Sequence, residues 1–284
     1  MNTKISLGAD PELMLMDTVQ GKIVNALKVI GRNKEDPVML PCGEKYYADN
    51  VLFEFSVKPA ETATEAADNI KTSLSQAARL LPDHSFVAQS AHMFDMEELG
   101  DKSAWEIGCT PSFNAWTEAM TPASRYTDAL RTGSFHIHIG GDHLTKIKDK
   151  IMYIRLLDVY LGCASVLFDK DSSVYARRKL YGRAGEFRST YYGLEYRVLG
   201  NYVLRNRKLT EFVFNLAGWC VLTPRSEAVS VLSKIGATNP QIAINEGDKK
   251  IAMEVLKMAG TPDRIMADIM AEYPENLNKA WGLA

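Results

Sequence analysis

The amino-acid sequence predicts an α+β protein, and three observations predict it. Residues 4–16, 51–57, 134–141 and 193–199 alternate apolar and polar side chains with the period of two that marks strands. Residues 62–81, 145–168 and 209–222 instead repeat apolar side chains every three or four positions, the spacing of helices that bury one face. The strands also carry acids, histidines and arginines on a single face, whereas the helices carry mainly core residues. With 284 residues the chain is long enough to bury a substantial core. Neither an internal repeat nor a long linker divides it, so the expected organisation is one domain, 1–284, whose C-terminal part from about 205 is helical.

Composition narrows the function classes. Lys plus Arg number 33 and Asp plus Glu 35, a net charge of -2, which argues against general nucleic-acid affinity. The charge is uneven, because residues 169–208 hold ten Lys or Arg and four Asp or Glu. Such a region fits a localised anionic ligand or a solvated basic face. Cys42, Cys109, Cys163 and Cys220 have neither Cys-x-x-Cys spacing nor the density of a disulfide framework. The first residues lack the apolar core of a signal peptide, and no apolar run approaches the roughly 20 residues that span a bilayer. The expected location is the cytoplasm, with no membrane partner.

The first strand, residues 4–16, is interrupted by Gly8, Asp10 and Pro11. Asp10 and Glu12 are two apart and share a face, where mutual repulsion is relieved by a proton or a cation, so the pair is a divalent-metal candidate. Gly21 and Lys22 read as a hairpin turn and residues 33–44 as a loop. In YYADNVLFEFSVKP, Glu54 is flanked by large apolar residues in a strand expected to be central, where a lone carboxylate costs several kcal/mol and needs a partner such as a metal. Asp49 and Asn50 stand at that strand's entrance.

Residues 62–81 form the first helix, stopped by Pro82, and 85–91 a further strand. Trp105, Phe113 and Trp116 wall a pocket or pack beneath a loop, and packing is the expected role. In SFHIHIGG, Phe135, Ile137 and Ile139 take one face and His136 and His138 the other. Two histidines on one strand face suit ligation or proton transfer, since imidazole binds metals while neutral. Thr145 is the expected cap of a long core helix reaching Phe168. Helices are then expected over 209–222, 226–235, 248–258 and 262–273.

Between the long helix and 209–222 lies YGRAGEFRSTYYGLEYRVLGNY. Gly182 and Gly185 let its backbone approach a ligand, and Arg183 and Arg188 supply forked donors for phosphate or carboxylate. Glu195 and Arg197 then share one face of a strand. A surface hairpin with mutually paired charges explains the same residues taken alone. Together with Asp10, Glu12, Glu54, His136 and His138 they make an oxygen-rich set that favours magnesium or manganese over zinc. Such ions bridge phosphates, and no Walker-type loop or Gly-x-Gly-x-x-Gly motif offers another nucleotide site.

The segments GADPEL, DNVLFEF, SFHIHIGG, YGRAGEFR and GLEYRVLGN resemble, in order and spacing, the glutamine synthetase and glutamate-cysteine ligase superfamily, and most closely the carboxylate-amine ligases of tailed phages. The resemblance covers residues 5–215. It implies a curved antiparallel β-sheet with helices packed on one face, two or three divalent ions, and ATP entering from one end. Carried over residue by residue, it implies metal ligands at Asp10, Glu12, Glu54, His136 and Glu195, and a nucleotide-phosphate contact at His138. It further implies a phosphate and acyl-phosphate clamp at Arg183 and Arg188, and a substrate-carboxylate contact at Arg197. Asp10 departs from the commoner Glu, and one clear glutamate stands at Glu54 where glutamine synthetases have two; Asp49 or Asn50 is placed to fill the gap.

The resulting expectation is an ATP- and Mg2+-dependent enzyme, with Mn2+ as a substitute, that joins a small-molecule or peptide carboxylate to an amine through an acyl phosphate. A homo-oligomer is compatible with it. The alternatives are a guanidino-kinase-like phosphotransferase, a metal-dependent hydrolase, and an inactive nucleotide-binding or structural protein on the same fold.

Overall fold

A computed structural model describes residues 4–100, 104, 112–121, 129–274 and 276–283. Trp105 and Cys109 lie outside the described residues. The fold is α+β, built on a large antiparallel sheet. Its strands are β1 (Ser6–Asp17), β2 (Lys22–Val24), β3 (Val38–Met39), β4 (Lys45–Asp49), β5 (Leu52–Phe55), β6 (His84–Val87), β8 (Phe113–Asn114), β9 (Ala119–Met120), β11 (Phe135–Gly140), β12 (Glu186–Ser189) and β13 (Gly193–Tyr196). A small separate pair is made by β7 (Ala91–Met93) and β10 (Leu130–Thr132). The order across the large sheet is β3-β4-β5-β1-β11-β13-β12-β8-β9, with β2 and β6 on the distal half of β1.

The organising element is β1, a 12-residue strand that the sequence made look interrupted. Its first half pairs with β11, its middle with β5 and its end with β2 and β6. Pro11 sits inside it opposite Phe135. The strand expected over 51–57 is realised as β5, and the residues before it form a second strand, β4, paired with it as a hairpin. Asn50 adopts the left-handed φ of 58° that a tight turn requires, and Asp49 pairs with Leu52 across it. The expected strand 85–91 likewise divides into β6 and β7.

Alternation puts Leu7, Ala9, Leu13, Phe53, Phe55, Ile137, Ile139, Phe187, Leu194 and Tyr196 into one buried cluster. Helices pack against that cluster, though the short third one buries its Leu99 in a second cluster with Met14, Val51 and Leu52. The helices are α1 (Ala26–Ile30), α2 (Ala63–Leu80), α3 (Met96–Leu99), α4 (Ile147–Leu157), α5 (Cys163–Phe168), α6 (Val174–Leu180) and α7 (Arg207–Leu222), followed by α8 (Arg225–Ile235), α9 (Thr238–Glu246), α10 (Lys249–Met258), α11 (Asp263–Ile269) and α12 (Leu277–Trp281). Thr62 caps α2 by accepting from the Glu65 N–H, and the Phe214 ring of α7 meets Phe135 of β11 edge-on at 5.7 Å.

The expected long helix is realised as α4 and α5 joined by a π-helical turn, Asp158–Gly162. Residues 142–144 form a 3-10 turn ahead of it and Lys146 is the cap residue, so Thr145 is not the cap. The whole span Ile147–Phe168 is long and apolar enough to cross a membrane, contrary to the composition-based expectation, but 89% of its apolar window is buried inside the protein. It is the core helix beneath the sheet. The C-terminal part adds α9 and α12 to the helices the periodicity predicts.

Candidate functional site

The opposite face of the same strands gathers the chemistry. Register fixes the rows: Glu12 faces Glu54, Asp10 faces His136, His138 faces Glu195, and Glu195 faces Arg188. Segments more than 180 residues apart in the chain thus share one patch of sheet, a few strands wide.

Two groups of metal-ligating atoms result, each with its atoms within 4.8 Å of one another: Glu12, Asp49 and Glu54, and Asp10, His138 and Glu195. In the first, Glu12 and Glu54 are each only 4% exposed. Burial, then the nearby Asp49, pushes the Glu12 carboxyl up to about 8. Burial, then Asp49 and Glu12, holds Glu54 well above the carboxylate range. The Tyr47 hydroxyl donates to Glu54, and the Asn201 side chain donates to the Glu12 carbonyl at 2.8 Å. Three acids pressed together, two of them with carboxyls pushed upward, are the donor set of a hard divalent cation, which would displace the protons of Glu12 and Glu54. The residues therefore fit magnesium or manganese.

In the second group the His138 ring is bonded at one nitrogen to Asp10 and at the other to the Tyr192 hydroxyl. Burial pulls the imidazole down, but the bond to Asp10 and its charge outweigh it and the net shift is upward. Glu195 is 1% exposed and is met by Arg188 Nη1 at 3.0 Å, Arg197 Nε at 3.2 Å and His136 Nδ1 at 3.7 Å. His136 takes a hydrogen bond of 3.2 Å with the Tyr181 hydroxyl through Nε2, and burial together with Arg197 and Arg177 drives its pKa well down. It is thus neutral, the form in which imidazole ligates a metal.

Arg197 is buried, donates to Ser112 Oγ at 3.1 Å and has its guanidinium 4.9 Å from the Tyr181 ring centre. Arg188 is half-buried at the rim. Arg183 is exposed and directed elsewhere: its guanidinium donates to the carbonyls of Arg178 and Lys179 at the end of α6, at 3.3 and 2.9 Å. The structure thus brings Asp10, Glu12, Glu54, His136, His138, Arg188, Glu195 and Arg197 onto one face and leaves Arg183 outside.

Sequence reasoning missed Arg177. Fully buried, it donates to Ser134 Oγ at 2.9 Å and to the carbonyls of Val198 and Arg197 at 2.8 and 3.1 Å, locking the end of β13 beside Glu12. Its neighbours in VYARRKLYG are an ordinary basic helix, and only the tertiary fold distinguishes it. Tyr47, Tyr181 and Tyr192, each bonded to a site acid or histidine, were equally silent.

Next to Asp10 and His138 opens a cavity of about 390 Å³. Its sheet floor is made of small residues, Ser6, Gly8 and Gly140, and its walls of Val57, Pro59, Tyr191 and Tyr192. A flat, partly apolar group fits there, with the polar pair Asp10 and His138 at one end.

Comparison with known families finds a match over residues 115–271 to the family described as Phage phiEco32-like COOH.NH2 ligase-type 2. The match spans more than half of the chain. The chain belongs to this family. The matched range includes the His-x-His, Glu-x-Arg and Arg183–Arg188 segments, whereas GADPEL and DNVLFEF precede it. Among solved structures, a bifunctional glutathione synthetase from Pasteurella multocida is similar at 10% identity and a TM-score of 0.45, over 98% of this chain and 48% of that one. Apo GmaS without ligand is similar at 11% identity and a TM-score of 0.40, over 98% of this chain and 72% of that one. The chain therefore spans about half the length of the glutathione synthetase it matches. No curated protein matches it.

Proposed function

We propose that the protein is an ATP- and magnesium-dependent carboxylate-amine ligase, working through an acyl phosphate on a curved sheet of the glutamine synthetase-like kind. Residues 1–284 then form one catalytic domain with its helical part from about 205. The observation that carries the reading is the convergence, on one face of the sheet, of two acidic groups with Arg188 and Arg197 between and beside them.

In this reading Glu12, Asp49 and Glu54 hold one cation and Asp10, His138 and Glu195 a second, with His136 beside Glu195 as a further ligand. The cations, Mg2+ or in its place Mn2+, supply charge compensation for the phosphates of ATP. His138 stands at the mouth of the Tyr192-walled cavity, so the nucleotide lies there with its phosphates running toward Arg188. Arg197 orients the substrate carboxylate. One oxygen of that carboxylate attacks the terminal phosphorus, the bond to the bridging oxygen breaks and ADP leaves. The amine then attacks the acyl carbon, phosphate departs and one amine proton is lost. The protein's own work is positioning and electrostatics, in which preset donors need no reorganisation as charge moves. Arg188 acts as the phosphate clamp, and Arg183 joins it only by leaving α6. The substrates are a small-molecule or peptide carboxylate and an amine, met in the cytoplasm without nucleic acid or membrane.

The test is ADP and phosphate release by the purified protein with Mg-ATP against pools of carboxylates and amines, with the coupled product identified by mass. A product whose mass is the sum of both substrates less water sustains the reading. Transfer of phosphate to a guanidine without coupling identifies a phosphotransferase, and turnover that is indifferent to ATP identifies a hydrolase.

A further inference from the structure

Beneath the sheet, on the side away from the acids, lies a carboxylate that the site does not use directly. Asp158 has no exposed surface and opens the π-helical turn between α4 and α5. Three donors from three different segments end on it. The Tyr196 hydroxyl donates to Oδ1 at 2.7 Å, the Trp116 indole N–H donates to Oδ2 at 2.6 Å, and the Gly185 N–H donates as well.

Each donor belongs to a segment that carries the site. Tyr196 lies between Glu195 and Arg197 and points to the opposite face of the same strand. Gly185 precedes Glu186 and Arg188, and its left-handed backbone is packed so tightly that a Cβ there would stand 2.7 Å from Trp116 and 2.8 Å from Asn114. Trp116 follows the short strand β8, whose Asn114 donates to the Ala184 carbonyl at 2.9 Å and accepts from the Trp116 N–H at 2.8 Å. The helix makes room for this: a Cβ on Gly162 would come within 2.8 Å of the Tyr196 hydroxyl.

Donors reaching both oxygens of one group suit a carboxylate, since each of its oxygens accepts whereas an amide has only one accepting oxygen. No ion pair fixes this carboxylate among the described residues, and its burial pushes it up to about 7. A buried acid held by neutral donors alone is a costly choice for a site of mere packing, where an apolar side chain of similar size fills the space better. Its distinctive property is that it ties three separate segments to a single point.

We propose that Asp158 is a positioning residue of the ligase site, fixing the strand of Glu195 and Arg197, the loop of Arg188 and the turn of Trp116 relative to one another through its three hydrogen bonds. This rests on the ligase reading of the preceding section. Arg188 and Arg197 each lie within 3.2 Å of Glu195, so a shift of several tenths of an ångström in the strand of Glu195 misaligns both pairs.

The experiment compares Tyr196→Phe, Trp116→Phe and Asp158→Asn with Val255→Ala, a truncation of a fully buried core residue of α10 that makes no hydrogen bond to Asp158 and lowers the melting temperature. Turnover is expressed per folded molecule. The expected result for Tyr196→Phe is a kcat reduced about tenfold with KM for ATP within about twofold, and for Val255→Ala an unchanged kcat. Asp158→Asn, which turns an amide hydrogen toward a donor, loses more; should it fail to fold, the two Phe variants decide the matter. Turnover by Tyr196→Phe and Trp116→Phe within about twofold of the parent overturns the positioning role. If the parent protein turns over no substrate, the ligase reading falls separately, and Mn2+ titration decides instead: a loss of about fivefold in Mn2+ affinity for Tyr196→Phe sustains the inference. Unchanged affinity, or a parent that binds no Mn2+, overturns it.

Discussion

The two faces of β1, β11 and β13 are made from alternate residues of the same strands, yet they obey opposite rules. On one face Ala9, Ile137, Leu194 and Tyr196 are chosen for volume and exclude water. On the other, Glu12, His136, Glu195 and Arg197 are nearly as buried and Asp10 and His138 are partly buried, but none gains from burial, since each carries a desolvation cost that only its neighbours offset. The comparison teaches that the core face supplies stability and the charged face spends it. Substitutions on the two faces should therefore separate folding from chemistry.

The sharpest break comes from Glu12→Gln. On the charged face it removes one of three acids that converge within 4.8 Å, and the expected loss of turnover exceeds the roughly 100-fold typical of disturbing a ligand's support. Calorimetric Mg2+ titration should show the affinity of one site collapse. The same variant should melt higher than the parent in EDTA above about pH 8, where the parent's buried carboxyl is ionised and repelled by Asp49 while the amide stays neutral. Reduced stability together with intact Mg2+ binding would reverse the assignment of the two faces.

The mirror experiment is Ile137→Ala. Its side chain is fully buried between β1 and β13, and truncation should cost about 2–5 kcal/mol by loss of transfer energy and creation of a cavity. Urea unfolding measures the cost. Mg2+ affinity per folded molecule should stay within about twofold, as His136 and His138 keep their places on the strand.

What was legible beforehand divides along the same line. Period-two alternation exposed β1, β5, β11 and β13 and put Glu54, His136, His138 and Glu195 on polar faces, because a strand states its two faces in its own local sequence. Convergence is a matter of register, which no single strand encodes. Asp49 was left beside Asn50 as a candidate because the left-handed turn at Asn50 that folds β4 onto β5 is not announced by a Gly. Arg183 and Arg188 looked equivalent at a spacing of five, and only the left-handed glycines 182 and 185 and the end of α6 turn one outward and the other inward. Asp158 read as an ordinary residue of a core helix, since its partners come from segments 42 and 38 residues away.

A smaller effect comes from titrating the buried acids without mutation. Glu12 has a folded pKa near 8 against 4.5 for the free side chain, and Asp158 and Asp169 are near 7 against 3.8. Between these limits the unfolded chain has given up protons that the folded chain keeps, so the unfolded state binds fewer protons and stability falls as pH rises. In EDTA the melting temperature should therefore decline between about pH 5 and about pH 8. Saturating Mg2+ should remove the Glu12 part of the decline, since the cation takes the place of the proton. A metal-free profile that rises over that interval would mean that these acids are already compensated by charge.

The smallest expected effect concerns the arginine that the fold sets apart. Arg183 spends its donors on two main-chain carbonyls at the end of α6, where a cation also meets the negative end of the helix dipole. In this position it stabilises a seven-residue helix by a few tenths of a kcal/mol at an exposed site, and it makes no bond to any site acid. Arg183→Ala should lower the melting temperature by about a degree and leave kcat within about twofold. Arg188→Ala should cost far more, because Arg188 is held at 3.0 Å from Glu195. If Arg183→Ala instead matched Arg188→Ala in lost turnover, Arg183 would have to leave α6 during the reaction. The loop of Gly182 and Gly185 would then be a hinge that closes over the phosphates, and the contrast between a fixed charged face and a fixed apolar one would hold only for the ligand-free protein.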